Sequence, residues 1–406
     1  MKRFELGVLD VYPIAVMGTA IEDSPTVGVT LDEKVDGVRL EKALLKAVEL
    51  FPLFKTKIVF DKGYFLEEND KPILVFNEND YDKTFTWKTG TNDYPWKLSY
   101  FENRILLRWC HGITDGRCAE RFLGTLLNLY YGNDVDIKPE LELGLEPFFN
   151  KNEKGIPQRK QGPGFGKKAF KVDNSKNKVL CHVLKCRTKD LLMLSKRSDA
   201  SPATIIPPLF SKALRACMDK KMDVKTGVVV DARAPLNHKT MHNCIFAKGI
   251  TYVDRFDAMD FELVSTIYRA ILILAVEREN VVTEATNSVS MIGAIVNNKV
   301  KWLIKLGGKL CAAFMKDTSS DVTFSYLGKI DYGEEVNKHI KDYTFCSWTD
   351  FGYCNIGATD FDGTFTLMIN EAFENKDIIP QFINISKSLG LDIKEVDSYP
   401  YYRADM

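Results

Sequence analysis

Residues 150 to 178 interrupt an otherwise ordinary alternation of strand and helix patterns. Asn150-Lys151-Asn152-Glu153-Lys154-Gly155 is followed by Gln158-Arg159-Lys160-Gln161-Gly162-Pro163-Gly164-Phe165-Gly166-Lys167-Lys168. Such a basic, glycine-rich stretch, poor in aliphatic residues, buries little apolar surface and reads as a linker. The full length of 406 residues also exceeds what one ordinary core encloses. The expected organisation is an N-terminal subdomain over 1–149, a linker over 150–178 and a C-terminal subdomain over 179–406.

On the N-terminal side, Leu40, Leu44, Ala47 and Phe51 recur at helical spacing. Asp36 can cap that helix and Pro52 stops it. Phe54 to Phe60 reads as a strand, Asp61-Lys62-Gly63 as a turn and Tyr64 to Leu66 as the returning strand. Arg104 to Cys110 is another strand. A helix from Arg117 to Tyr131 follows, with Phe122, Leu123, Leu126, Leu127 and Tyr130 on its apolar face. Beyond the linker, strands are expected at Val179 to Cys186 and Gly227 to Val230, with helices around Leu191 to Arg197 and Ala203 to Met218.

Charge excludes some function classes. Lys plus Arg and Asp plus Glu each number 55, so the formal net charge is +0. Bulk attraction to nucleic acid or to an anionic membrane is not expected. No apolar run of about 18 residues is present to span a bilayer. The opening Met1-Lys2-Arg3-Phe4-Glu5 leads into Leu6 to Tyr12 with Asp10 inside, which is not a secretory signal core. Nine scattered cysteines do not make a complete disulfide framework, so reduced thiols and a cytoplasmic location are expected.

The residues that carry chemistry are His111-Gly112-Ile113-Thr114-Asp115-Gly116. An apolar strand leads in and an amphipathic helix leads out, which sets an imidazole on a rigid base at the edge of a cleft. Histidine is the side chain whose ordinary pKa suits it to take a proton near neutral pH. Gly112 and Gly116 let the backbone turn freely. The spacing alone is weak, and a lone strand-end histidine is more often structural. Asp115 reads as a helix N-cap rather than as a triad carboxylate, because it follows His111 by one turn.

In this context Arg108 to Arg117 resembles the His-X-X-X-Asp-Gly signature of the chloramphenicol acetyltransferase-like enzymes. That superfamily includes alcohol acetyltransferases, plant BAHD acyltransferases, polyketide-associated acyltransferases and the condensation domains of peptide synthetases. Phe51-Pro52-Leu53-Phe54 is similar to the family's early helix exit. Val228-Val229-Val230-Asp231-Ala232-Arg233 with Met241-His242-Asn243 is similar to its Asp-X-Arg strand and later Gly-Asn. Phe324-Ser325-Tyr326-Leu327-Gly328-Lys329 resembles its Ser-Asn-Leu-Gly segment, and Asp350-Phe351-Gly352-Tyr353-Cys354 its Asp-Phe-Gly-Trp-Gly segment. Cys110 stands where many relatives carry a first histidine, and Tyr326 stands in place of asparagine.

The resemblance implies an α/β fold of two similar subdomains, each a mixed sheet flanked by helices, with the active-site channel between them. It also implies direct transfer of an acyl group from a thioester to an alcohol or amine, with His111 as general base and no acyl-enzyme. Asp115, Gly116 and Arg233 would support the site, with Asp115 paired to Arg233, and Ser325 would be a candidate oxyanion or substrate contact. Acyl-CoA is the expected co-substrate of a monomeric enzyme with no bound cofactor. Two other readings stay open: a condensation-like enzyme fed by a carrier protein, and a catalytically silent binding relative.

Other signals carry less. Gly162 to Lys168 lacks the spacing of a phosphate loop. His238, His242 and Cys244 follow Pro235 in a loop-like stretch without a matching fourth ligand, so no metal is expected. No Gly-X-Ser-X-Gly elbow suggests a serine hydrolase. Over 300–316, Trp302, Leu303, Leu306, Leu310 and Phe314 lie opposite Lys301, Lys305, Lys309 and Lys316. The expected arrangement is a core-facing apolar stripe under a solvated lysine face, with a membrane-surface helix as the alternative.

Overall fold

The computed structural model describes residues 2–16, 24–85, 90–149, 169–170, 178–318, 320–348 and 353–403. The linker assigned to 150–178 and the Asp350-Phe351-Gly352 part of the fifth similar segment lie almost wholly outside these residues.

The first half of the chain runs β1 (Arg3–Phe4), α1 (Val8–Val16), β2 (Thr26–Leu31), α2 (Gly37–Leu50), β3 (Thr56–Phe60), β4 (Tyr64–Glu68) and β5 (Val75–Asn77). It continues with β6 (Trp96–Phe101), β7 (Arg104–Trp109) and α3 (Gly116–Tyr130). The second half opens with β8 (Lys178–Arg187), α4 (Thr188–Arg197), α5 (Pro202–Ala216), β9 (Val224–Asp231), the short α6 (Arg233–Leu236) and β10 (Ile245–Tyr252). Three long helices follow: α7 (Phe261–Ala275), α8 (Arg278–Val296) and α9 (Lys301–Thr318). The chain ends with β11 (Val322–Lys329), α10 (Glu334–Asn337), β12 (Ile340–Cys346), β13 (Cys354–Phe361), β14 (Thr364–Glu371), α11 (Ile378–Ser388) and β15 (Lys394–Tyr402).

Local sequence accounts for the elements around the motif. The Asp36 carboxylate accepts from the amides of Val38 and Arg39 and starts α2. Pro52 then ends the α-helix, but it does not pass directly into a strand. Pro52–Lys55 forms one 3-10 turn, so the strand expected from Phe54 begins at Thr56. Proline preset for a turn explains the delay. The turn seats Phe54, whose ring stacks on Phe122 of α3 at 3.9 Å, while the Trp96 indole donates to the Phe54 carbonyl at 2.7 Å.

Two main sheets carry the molecule. A five-stranded sheet has the order β12-β2-β7-β6-β5, and a seven-stranded sheet has the order β10-β9-β11-β13-β14-β8-β15. A third, three-stranded sheet of β1, β4 and β3 stands apart. The seven-stranded sheet is mixed: β11 runs parallel to both β9 and β13, and the other pairs are antiparallel. One crossover ties the halves together. β12 belongs to the second half by sequence but pairs antiparallel with β2 of the first. There Gly357 of β13 lies so close to the Phe345 main chain that a Cβ would find no room. Glycine at 357 therefore lets the two sheets meet.

Each sheet packs its own core. Leu40, Leu44, Phe54, Leu107, Phe122 and Leu126 belong to one cluster, and Phe345 and Leu327 from the second half enter it. Leu184, Leu209, Phe210, Val228, Phe324 and Ile356 belong to the other.

α9 departs from the expectation. Its covered side is Ile304 with Gly307 and Gly308, whereas Trp302, Leu306 and Leu310 are exposed. A Cβ on Gly307 would come within 2.8 Å of Ile295 of α8. The glycine side allows close approach to α8, so over residues 301–310 the helix packs through Ile304 and the glycines and turns Trp302, Leu306 and Leu310 outward, while the Phe314 and Lys316 side chains lie outside the described ones.

Candidate active site

β7 delivers His111 to the point where the strand ends and the chain turns into α3. The strand is held from beneath. Arg108 is fully buried, and its guanidinium reaches Asp80 Oδ2 at 2.9 Å and Ser99 Oγ at 3.2 Å. The turn is tied along its length: Cys110 N donates to Pro95 O at 2.8 Å, the Trp109 indole to Thr114 O at 3.0 Å, and Thr114 Oγ1 to Met241 O at 2.7 Å.

Asp115 has two tasks. One carboxylate oxygen accepts from Cys118 N at 3.2 Å and caps α3. The other accepts from Cys244 N at 3.0 Å and lies 2.8 Å from Arg233 Nη1. Burial alone would raise the Asp115 pKa; the Arg233 guanidinium, with the Cys244 amide, outweighs it and holds the group below its ordinary value. Arg233 spans this junction. It reaches Asp231 at 3.1 Å and donates to Thr240 O at 3.0 Å and His242 O at 2.8 Å. Its pKa is raised because the two carboxylates more than offset burial.

A second buried cluster supports the other side of the loop. The Asp10 carboxylate, in α1, is 1% exposed. It accepts from Gly7 N at 2.9 Å, His242 Nδ1 at 2.8 Å, Asn243 N at 3.1 Å and Asn243 Nδ2 at 3.2 Å. Asn243 Nδ2 also donates to the main-chain carbonyl of His111. Burial lowers the His242 pKa, but the facing Asp10 charge prevails and raises it. Gly112 completes the fit, since a Cβ there would lie 2.7 Å from Asp10 O and collide with Ile14. Close approach of α1, more than freedom to turn, demands glycine at 112.

His111 itself is half-buried. Among the described residues no group hydrogen-bonds its ring, so the fixed main chain presents an imidazole with both nitrogens unengaged. Gly116 faces Leu327 of β11, where a Cβ would lie 3.2 Å from Leu327 Cδ2. That contact brings the end of β11 against the start of α3. Ser325 sits half-buried on the same strand, in register with Gly357. His111, Asp115, Gly116 and Arg233 thus meet at one junction, with Ser325 on the strand that abuts it.

Sequence reasoning overlooked Asp10. Its signal was a single carboxylate inside the apolar run Leu6 to Ile14, which needs partners if that run is buried. His242 is occupied by Asp10, and among the described residues no group of three or more His, Cys, Asp or Glu is placed to hold a metal.

No family model matches the chain, and no curated protein matches it by sequence. Solved structures do match. A TRI101 protein of F. sporotrichioides, solved with coenzyme A and T-2, superposes with a TM-score of 0.62 at 11% identity, covering 98% of this chain and all (100%) of that one. The condensation domain of the monacolin K polyketide synthase MokA gives 0.60 at 11% identity, with 96% of each chain covered. Polyketide synthase associated protein 5 of Mycobacterium tuberculosis gives 0.60 at 12%, covering 90% and 93%. This chain has the chloramphenicol acetyltransferase-like condensation fold. Within that fold the β7–α3 turn, β9 with its Arg233 exit and the end of β11 converge, drawn from both halves of the chain.

Proposed function

We propose that this chain is an acyltransferase that moves an acyl group from acyl-CoA to an alcohol or amine, with His111 as general base. The supporting observation is the half-buried His111 imidazole on a turn immobilised through its main chain and through Asp115. General base catalysis needs this: a basic nitrogen held still, with its lone pair not spent on a protein donor.

The imidazole takes the proton of the acceptor O–H or N–H as that atom attacks the thioester carbonyl. A tetrahedral oxyanion forms, and Ser325 is the proposed donor to it. When the carbon–sulfur bond breaks, the thiolate leaves and takes the proton held by the imidazolium. No acyl-enzyme is required. Asp115 is a positioning residue, since both its oxygens are committed to α3, Cys244 and Arg233. In this reading the reaction channel runs between two subdomains, 1–149 and 179–406, joined by a linker over 150–178, with β12 of the second completing the sheet of the first.

Coenzyme A is the proposed carrier, supported by the neighbour solved with it. The likeness to a condensation domain favours a second reading, a carrier-protein thioester as donor. A thiol-release assay decides: acetyl-CoA with a panel of alcohols and amines in one arm, an acylated carrier protein in the other. Release with acetyl-CoA that depends on an acceptor supports the first reading. Release only from the carrier supports the second, and release from neither contradicts both.

A further inference from the structure

α9 presents two parallel rows to solvent. Trp302, Leu306 and Leu310 are 63%, 46% and 64% exposed and recur every fourth residue along one line. Lys301, Lys305 and Lys309, also exposed, form the adjoining line. Side chains four apart lie over one another on a helix, so each lysine flanks an apolar neighbour along the strip. Among the described residues none of these three lysines pairs with an acid; Lys301 rests over the Phe60 ring at 5.5 Å.

The charge is local. From Lys299 to Lys316 the sequence holds five lysines and no acid, in a chain whose formal net charge is +0. A row of tryptophan and leucine beside a row of lysine matches a surface that is apolar below and anionic above. A second folded protein ordinarily meets such an apolar strip with matching apolar area and few unpaired cations. An anionic bilayer supplies acyl chains for the apolar row and headgroups for the lysines, and tryptophan is favoured at that boundary.

We propose that α9 docks this protein on the surface of an anionic lipid membrane, lying in the interface and not spanning it. The inward side of α9 gives the docked face a fixed relation to the rest of the molecule. Ile304 shares a buried cluster with Ile14 of α1 and Cys110. α1 in turn carries Asp10 and abuts Gly112. The docked helix is therefore one layer from the turn that holds His111.

The test is vesicle flotation of the full chain, with phosphatidylserine-containing and pure phosphatidylcholine vesicles compared. The protein should float with the anionic vesicles, and added salt should weaken the association. Reversing Lys301, Lys305 and Lys309 to glutamate should weaken it by about a hundredfold. Replacing Trp302, Leu306 and Leu310 by serine should also weaken it by about a hundredfold. Unfolding midpoints confirm that the variants fold, and the lysine variant, which leaves the apolar row intact, decides alone if the serine variant does not. Equal binding by wild type and the lysine variant would overturn the proposal, as would absence of binding to anionic vesicles. A wild type that sediments as a dimer, becomes monomeric in the serine variant and ignores vesicles would instead assign the face to a second copy of this chain. Flotation involves no turnover, so its outcome is independent of the acyltransferase reading.

Discussion

The side-chain amide of Asn243 donates to the main-chain carbonyl of His111. The same nitrogen is anchored on Asp10, so a residue 132 positions away fixes where the strand-end histidine stops. Asn243→Ala should lower turnover by about a hundredfold through loss of alignment, with KM changed little. It should also destabilise the fold by about 1–3 kcal/mol, because Asp10 and the His111 carbonyl lose a buried donor. Thiol-release kinetics beside denaturant unfolding separate the two effects. Full turnover in a destabilised variant would leave Asn243 a structural role only.

Asp115 and Arg233 should behave as a unit. The carboxylate is fully buried, 2.8 Å from the guanidinium, which is itself mostly buried. Arg233→Ala leaves the buried Asp115 carboxylate without its cation and should cost about 3–5 kcal/mol, whereas Asp115→Ala leaves Arg233 paired with Asp231 alone and should cost less. The Asp115→Ala/Arg233→Ala double variant should cost much less than the sum. A double-mutant cycle by denaturant unfolding measures the coupling, and strict additivity would contradict it.

Stability should respond to pH at both ends. The Asp115 pKa is depressed below its ordinary 3.8, so its stabilisation is complete above that value and is lost as pH falls through the lower folded pKa. The His242 pKa is raised above 6.5, so its contribution is complete below 6.5 and is lost as pH climbs through the raised folded pKa. Unfolding midpoints of His242→Gln and wild type should therefore differ most in mildly acidic solution and converge toward alkaline pH. A gap that widens with rising pH would contradict the Asp10–His242 assignment.

The elements around His111 were legible in the sequence, whereas their long-range supports were not. The apolar face of α3, the Asp36 cap and the strand into His111 follow from spacing within a single segment. The Arg233 partnership entered through a family resemblance and not through any local pattern. Asp10 meets Asn243 across 233 positions, and nothing near either residue announces the other. β12 joining β2 is hidden for the same reason, because strand pairing depends on neighbours that local periodicity does not name. In α9 periodicity defined two faces but not which one is covered. Gly307 and Gly308 decide that, by letting the helix approach α8 on its small side.

His111→Ala is the most direct test of the proposed chemistry. The substitution removes a ring that makes no hydrogen bond among the described residues and leaves the main-chain carbonyl bonded to Asn243, so the unfolding midpoint should hold. Acceptor-dependent thiol release, measured on the purified full chain, should fall by about 100-fold to 10,000-fold, the usual consequence of losing a general base. Release that stays within a small factor of wild type would contradict the assignment of His111 as the base.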